Sequence, residues 1–135
     1  FYLLSLLFVL LSKKNMNNTF SQKIIVTENQ SAEMLGSGLL PVFATPSLVA
    51  LMENTAMQLI PLPEGSSSVG TAISVKHLKA SLIGTEIECI ATLISNEGRK
   101  FNFELKAFDA KGDLIGEGTH ERFLIDIKKF MDKLK

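Results

Sequence analysis

Four residues in one stretch of the chain, Phe43 to Lys79, have side chains, or the lack of one, suited to chemistry: Thr45, Glu53, Gly70 and His77. A histidine exchanges a proton near neutral pH. A carboxylate can orient and charge-stabilise an imidazole, activate water, or attack a carbonyl itself. A hydroxyl can act as nucleophile or hold a substrate. A glycine lets a reacting group approach the backbone, where a nearby N–H can receive developing negative charge. Each position also has a plainer reading. Thr45 precedes Pro46 where a helix starts, and a threonine there is ordinarily an N-cap. Glu53 reads equally as a solvent-facing helix carboxylate, His77 as a satisfied core residue, and Gly70 as strand flexibility after the turn EGSSS.

Two elements must position these groups. From Pro46 the apolar residues Leu48, Val49, Leu51, Met52, Ala56, Leu59 and Ile60 recur at spacings of three and four, and Pro61 and Pro63 follow. That pattern predicts a largely buried helix of about fifteen residues with Glu53 in its middle. The next segment alternates. Val69, Thr71, Ile73, Val75 and His77 fall on one face of a strand, and Gly70, Ala72, Ser74, Lys76 and Leu78 on the other. His77 is therefore expected to face the helix. Eight residues of regular helix separate Thr45 from Glu53 by about 12 Å along the axis, so the two cannot share a hydrogen bond within one regular helix. A later helix start, a site drawing on two chains, or a group lying between them would each reconcile this.

Composition narrows the function classes. The 135 residues suit one domain with its own core. Basic and acidic residues balance at 14 each and the lysines cluster only at the extreme C-terminus, so no nucleic-acid surface is expected. The single cysteine, Cys89, excludes an intrachain disulfide and a cysteine-based metal site, and it lies in an apolar strand pattern as a core thiol. Two histidines without ligand spacing make a metal site unexpected.

Residues 1–15, FYLLSLLFVLLSKKN, differ from the rest. The apolar run is short for a membrane span and lacks the basic start and small-residue cleavage site of a signal peptide. They are read as a hydrophobic extension outside the fold, the alternative being the remnant of a truncated hydrophobic leader or anchor, with Met16 beginning the native protein, residues 16–135 forming one domain, and the protein cytoplasmic with no membrane partner. Met16 to Gln22 reads as a frayed start, Lys23 to Glu28 as a short strand, and Ser31 to Leu40 as a loop. Thr85 to Ser95, Phe101 to Ala107 and Leu114 to about Ile125 read as three further strands, joined by NEGRK and by a hairpin turn at Asp109–Gly112. Gly116 and Gly118 mark a bulge or a close backbone approach. Lys128 to Lys135 reads as a short terminal helix. The order implies an α+β domain: one long buried helix wrapped by a curved antiparallel sheet of about five strands. Its open sheet edges make a homodimer by sheet continuation expected.

This pattern resembles the hotdog-fold thioesterases, and within them the fluoroacetyl-CoA thioesterase-like family. The likeness spans roughly Val26 to Ile125 and is carried by ATPSLVALME (Ala44–Glu53), VGTAISVKHLKAS (Val69–Ser81) and GEGTHERF (Gly116–Phe123). It implies a catalytic set of Thr45, Glu53 and His77, with Gly70 and Arg122 on the substrate. It implies hydrolysis of a small or medium acyl-CoA at sites between the subunits of a homodimer, without a separate cofactor, coenzyme A being part of the substrate. Arg122 would reach a carboxylate or a phosphate of CoA, or else be a solvated strand residue. His120 has no implied role and reads as surface. Lys76 and Lys79 rank low as phosphate contacts. Two other readings compete. One is a non-catalytic acyl-CoA-binding hotdog protein. The other is an acyl-thioester dehydratase or hydratase, which usually sets a histidine before or close after its acid; no histidine precedes this helix or falls within it.

Overall fold

The computed structural model describes residues 18–135. The reading of residues 1–15 as an extension outside the fold, and of Met16 as a start, lies outside the described residues. Five strands form one antiparallel sheet: β1 (Thr19–Ile25), β2 (Ser66–His77), β3 (Glu86–Glu97), β4 (Lys100–Asp109) and β5 (Leu114–Asp126). Their order across the sheet is β1-β3-β4-β5-β2, so β1 and β2 are its edges. Among the described residues a short 3-10 helix (Glu28–Gln30) and three α-helices complete the fold: α1 (Ala32–Leu35), α2 (Thr45–Met57) and α3 (Ile127–Asp132).

The core lies between α2 and one face of the sheet. The helix buries Leu48, Leu51, Met52, Thr55 and Ala56. Against them the sheet sets Ile87, Cys89 and Ala91 of β3 and Phe101, Phe103, Leu105 and Ala107 of β4, the rows that alternation predicts for the inner face. Cys89 is fully buried, as expected of a core thiol. Burial pushes its pKa up to about 11, against a smaller opposing contribution from the Thr55 hydroxyl. Thr55 also accepts from Gln22 Nε2 at 2.8 Å and donates to the Leu51 carbonyl at 2.6 Å, tying α2 to β1.

Three expectations need correction. First, β1 begins at Thr19, within the segment read as a frayed start. Its outer residues are exposed because it is an edge strand, so apolar alternation is weak there. Second, part of the predicted loop is helical. Ser31 accepts from Met34 N and caps α1, which Gly36 ends in a left-handed conformation at φ 73°. Third, β2 does not alternate uniformly. Gly70 pairs with Arg122 and Ala72 with Glu121, leaving Thr71 as the extra residue of a bulge. A bulge shifts side-chain parity by one. Gly70 therefore shares the inner face with Ile73, Val75 and His77 rather than facing the other way.

Gly116 and Gly118 permit close approach, as their spacing on one face suggests. A Cβ on Gly116 would stand 2.7 Å from Leu48 Cδ2, whereas one on Gly118 would collide with the Ser74 backbone carbonyl of the adjacent strand. A side chain can rotate away and a paired backbone cannot. Gly118→Ala is therefore expected to destabilise the fold by about 1–3 kcal/mol, and by more than Gly116→Ala. Chemical denaturation of the two variants checks this; equal losses would contradict the assignment of the tighter contact to backbone.

Candidate active site

The inner face of β2 and the ridge Thr45–Val49–Glu53 of α2 run side by side in opposite directions. His77 lies at the Thr45 end and Gly70 at the Glu53 end. Two separate polar clusters result.

At the first end, Thr45 Oγ1 and His77 Nδ1 are 2.8 Å apart. Thr45 is the first residue of the helix, not its cap. Ala44 occupies the cap position, and no side chain caps this helix. The hydroxyl is thereby released from the role that a threonine before proline usually plays, and it bonds the imidazole instead. His77 Nε2 is buried and has no hydrogen-bond partner among the described residues. Burial lowers the pKa of His77, with the Lys79 backbone opposing. The Phe43 ring stands edge-on to the imidazole, with centroids 6.3 Å apart. A cavity of about 260 Å³ opens here, lined by Phe43, Thr45, His77 and the chain on either side of them. The strand end carrying His77 is anchored by Lys79, whose Nζ meets Asp109 Oδ2 and Asp113 Oδ2 at 2.7 Å each. Lys79 is thus engaged within the chain.

At the second end, Glu53 is half-exposed, and its Oε2 lies 3.8 Å from Arg122 Nη1. Arg122 is buried. Its Nε donates to Ser68 Oγ and its Nη2 to the Ser68 carbonyl, each at 2.9 Å, and its Nη1 lies 3.2 Å from His120 Nε2. The carboxylate that it faces is Glu53. His120 is not a surface residue: it is 4% exposed, beside the Phe103 ring. Its row contained a usable signal. Gly116, Gly118, His120 and Arg122 share one parity, and glycines that demand close packing place the whole row inside. Gly70 adjoins all three side chains. A Cβ there would stand 3.0 Å from Glu53 Oε2, 3.0 Å from His120 Cε1 and 3.4 Å from Arg122 Nη1.

Of the residues singled out in the sequence, the structure joins Thr45 to His77, and Glu53 to Gly70 and Arg122. Within one chain it does not join Glu53 to His77. Among the described residues no group of three His, Cys, Asp or Glu side chains is placed to hold a metal ion, and no helix is long and apolar enough to cross a membrane. A larger hollow of about 510 Å³ lies on the helix-free face of the sheet, around Ser74, Lys76, Ile94 and Glu117, away from both clusters.

One helix wrapped by an antiparallel sheet, with a threonine–histidine pair and a carboxylate along the helix–strand groove, defines a hotdog-fold protein of the thioesterase class. Comparison with known proteins identifies the branch. The family model described as fluoroacetyl-CoA-specific thioesterase matches residues 26–128. The fluoroacetyl-CoA thioesterase of Streptantibioticus cattleyicolor is 41% identical over 96 residues, covering 70% of this chain and 68% of that protein. A solved structure of the fluoroacetyl-CoA thioesterase FlK superposes with a TM-score of 0.81 at 34% identity, covering 86% of this chain and 91% of the other. A Thermus thermophilus protein described as a thioesterase superfamily member superposes with a TM-score of 0.79 at 26% identity, covering 86% and 87%. The chain belongs to the fluoroacetyl-CoA-specific thioesterase family.

The lowered pKa values of His77 and His120 have a thermodynamic consequence. Both imidazoles bind protons more readily in the unfolded chain than in the fold. Their contribution to stability is therefore present above about pH 6.5 and is lost as pH falls from there toward the folded-state values. Unfolding free energy measured from pH 7.5 down to 5.5 should decline, and replacing either histidine with glutamine should flatten the decline.

Proposed function

We propose that this protein hydrolyses a small or medium acyl-CoA to a carboxylic acid and CoA, using Thr45 and His77 from one subunit with Glu53 from the other. Family membership makes the chain a thioester hydrolase acting on acyl-CoA; the acyl size, the residue roles and the homodimer are the proposed part. The name of the curated relative specifies fluoroacetyl-CoA as that protein's substrate. A variant of FlK has been solved with acetyl-CoA. Both acyl groups are small, which favours the lower end of the range here.

The observation that carries the reading is the Thr45–His77 hydrogen bond together with the unpartnered, buried Nε2 on the far side of the same ring. A proton accepted at one ring nitrogen leaves an imidazolium whose other N–H needs an acceptor, and a carboxylate stabilises that cation. Within the chain, Glu53 lies at the wrong end of the groove. Edge strand β2 supplies a way to bring one there. Among the described residues it pairs with β5 on one side only. If it pairs antiparallel with its own copy about a two-fold axis between Ile73 and Ser74, the Gly70 end of each strand lies beside the His77 end of the other. Each groove then contains a Thr45–His77 pair and a Glu53 carboxylate from opposite subunits.

In this reading two groups can attack a thioester carbonyl bound between them. The Thr45 hydroxyl can attack as His77 takes its proton, and the Glu53 carboxylate can attack directly. In either route the carbon–sulfur bond breaks and water resolves the acyl-enzyme: in the Thr45 route His77 passes the hydroxyl's proton to the CoA thiolate, and in the Glu53 route the thiolate is protonated by the proton that His77 takes from the resolving water. Acid quenching of a single turnover followed by mass spectrometry separates the routes by whether the acyl group sits on Thr45 or on Glu53. His77→Ala and Glu53→Ala should each lower kcat/KM by about a hundredfold or more. Activity that survives both substitutions would refute the site.

The two-subunit arrangement has its own test. His77→Ala and Glu53→Ala chains, each inactive alone, are unfolded together and refolded as a mixture. Random pairing makes half the dimers mixed, and each mixed dimer has one intact composite site, so about a quarter of wild-type activity should return. A mixture as inactive as its parents would show that each site is built within one chain.

A further inference from the structure

His120 is buried at the Glu53 end of the groove, and the reaction as described gives it no task. Its two ring contacts determine its chemical state. The Ala72 carbonyl lies 2.7 Å from Nδ1 and can only accept, so Nδ1 carries a proton. The Arg122 guanidinium lies 3.2 Å from Nε2 and can only donate, so Nε2 presents its lone pair. Both contacts hold only for a neutral imidazole with its proton on Nδ1. An imidazolium would direct an N–H at an N–H and a positive charge at a positive charge.

We propose that His120 is a positioning residue, which as a neutral hydrogen-bond acceptor holds the Arg122 guanidinium toward the Glu53 carboxylate and releases it on protonation. The proposal rests on Glu53 belonging to the hydrolytic site. The donor inventory of Arg122 supports it. Nε and Nη2 grip Ser68 at one end of the guanidinium plane. Of the three guanidinium nitrogens, Nη1 is the one not bonded to Ser68, and it lies between His120 and Glu53. Without an acceptor at position 120, a buried N–H of Arg122 loses its partner, a costly state that a turn of the plane would relieve. That turn would withdraw positive charge from Glu53. Gly70 keeps the space between the three groups open, since any side chain there would press on Glu53 Oε2 and the His120 ring.

The surroundings bias His120 toward the neutral form. Burial lowers its pKa most. The Ala72 carbonyl opposes, the Arg122 charge lowers it further, and the Glu53 and Glu121 carboxylates raise it. Glu53 is the charged group facing it from α2. Ala72 and Gly70 of β2 and Phe103 of β4 offer no titratable group. Glu121, on its own strand, is engaged with Thr71 and Lys100.

The chain has only two histidines, so nitrogen-15 NMR of the imidazoles is assigned by comparing wild type with His77→Gln. The expected result is a neutral His120 with its proton on Nδ1 at pH 7, titrating below the usual histidine range. A proton on Nε2, or an ordinary titration, would overturn the proposal. In the acyl-CoA assay, His120→Leu should lower kcat by between about ten- and a hundredfold with KM little changed. His120→Gln keeps an acceptor without a titratable group. It should restore kcat to within a few-fold, with an acidic limb of the pH–rate profile that is shallower or displaced to lower pH. Unchanged kcat in His120→Leu, or a wild-type acidic limb in His120→Gln, would overturn it. Absence of hydrolysis by the wild-type protein would refute the functional reading alone, and the NMR result would still decide whether His120 holds Arg122.

Discussion

A regular helix holds residues eight apart at a fixed separation, and that constraint shapes everything around α2. Thr45 and Glu53 are kept about 12 Å apart along its axis, so neither can reach the partners of the other. The sheet accommodates this by bringing a different polar group to each end of the same ridge: His77 to Thr45, and Arg122 with His120 to Glu53. The result is a long groove with a hydrogen-bonded threonine–histidine pair at one end and a carboxylate facing an arginine at the other.

The bulge at Thr71 makes the groove continuous. Gly70 and His77 are seven residues apart, an odd spacing that would put them on opposite faces of a regular strand. One unpaired residue brings both to the helix side. It also leaves the Ala72 carbonyl where His120 Nδ1 can reach it. A single backbone irregularity on an edge strand thus sets the face of the glycine and the tautomer of the histidine two strand positions away from Arg122.

Much of the fold was legible in the sequence because burial leaves a periodic trace. The inner rows of β3 and β4 alternate cleanly since both strands are central, and α2 carries its start and stop residues in the chain. The misplaced features share one cause: they depend on what lies opposite. A bulge on an exposed strand changes no hydrophobic count. The first residues of β1 are exposed on an edge strand, Phe20 among them, so burial leaves little periodic trace there. His120 stands between Thr119 and Glu121, and what makes it interior, the Phe103 ring, Arg122 and strand β2 beside it, lies elsewhere in the chain. For the site, the resemblance supplied the residue types, and local chemistry supplied their ordinary alternatives. The choice for Thr45 came from geometry, because its hydroxyl is on the imidazole and not on the helix terminus.

The burial of Cys89 has a practical side. The chain has one thiol, fully enclosed between α2 and the sheet and held protonated by a pKa near 11. A disulfide reagent in solution needs an accessible thiolate, so the folded protein is silent toward it. Every equivalent of thiol such a reagent detects during turnover then comes from coenzyme A, and slow reagent uptake in the absence of substrate becomes a direct clock for the opening of the core.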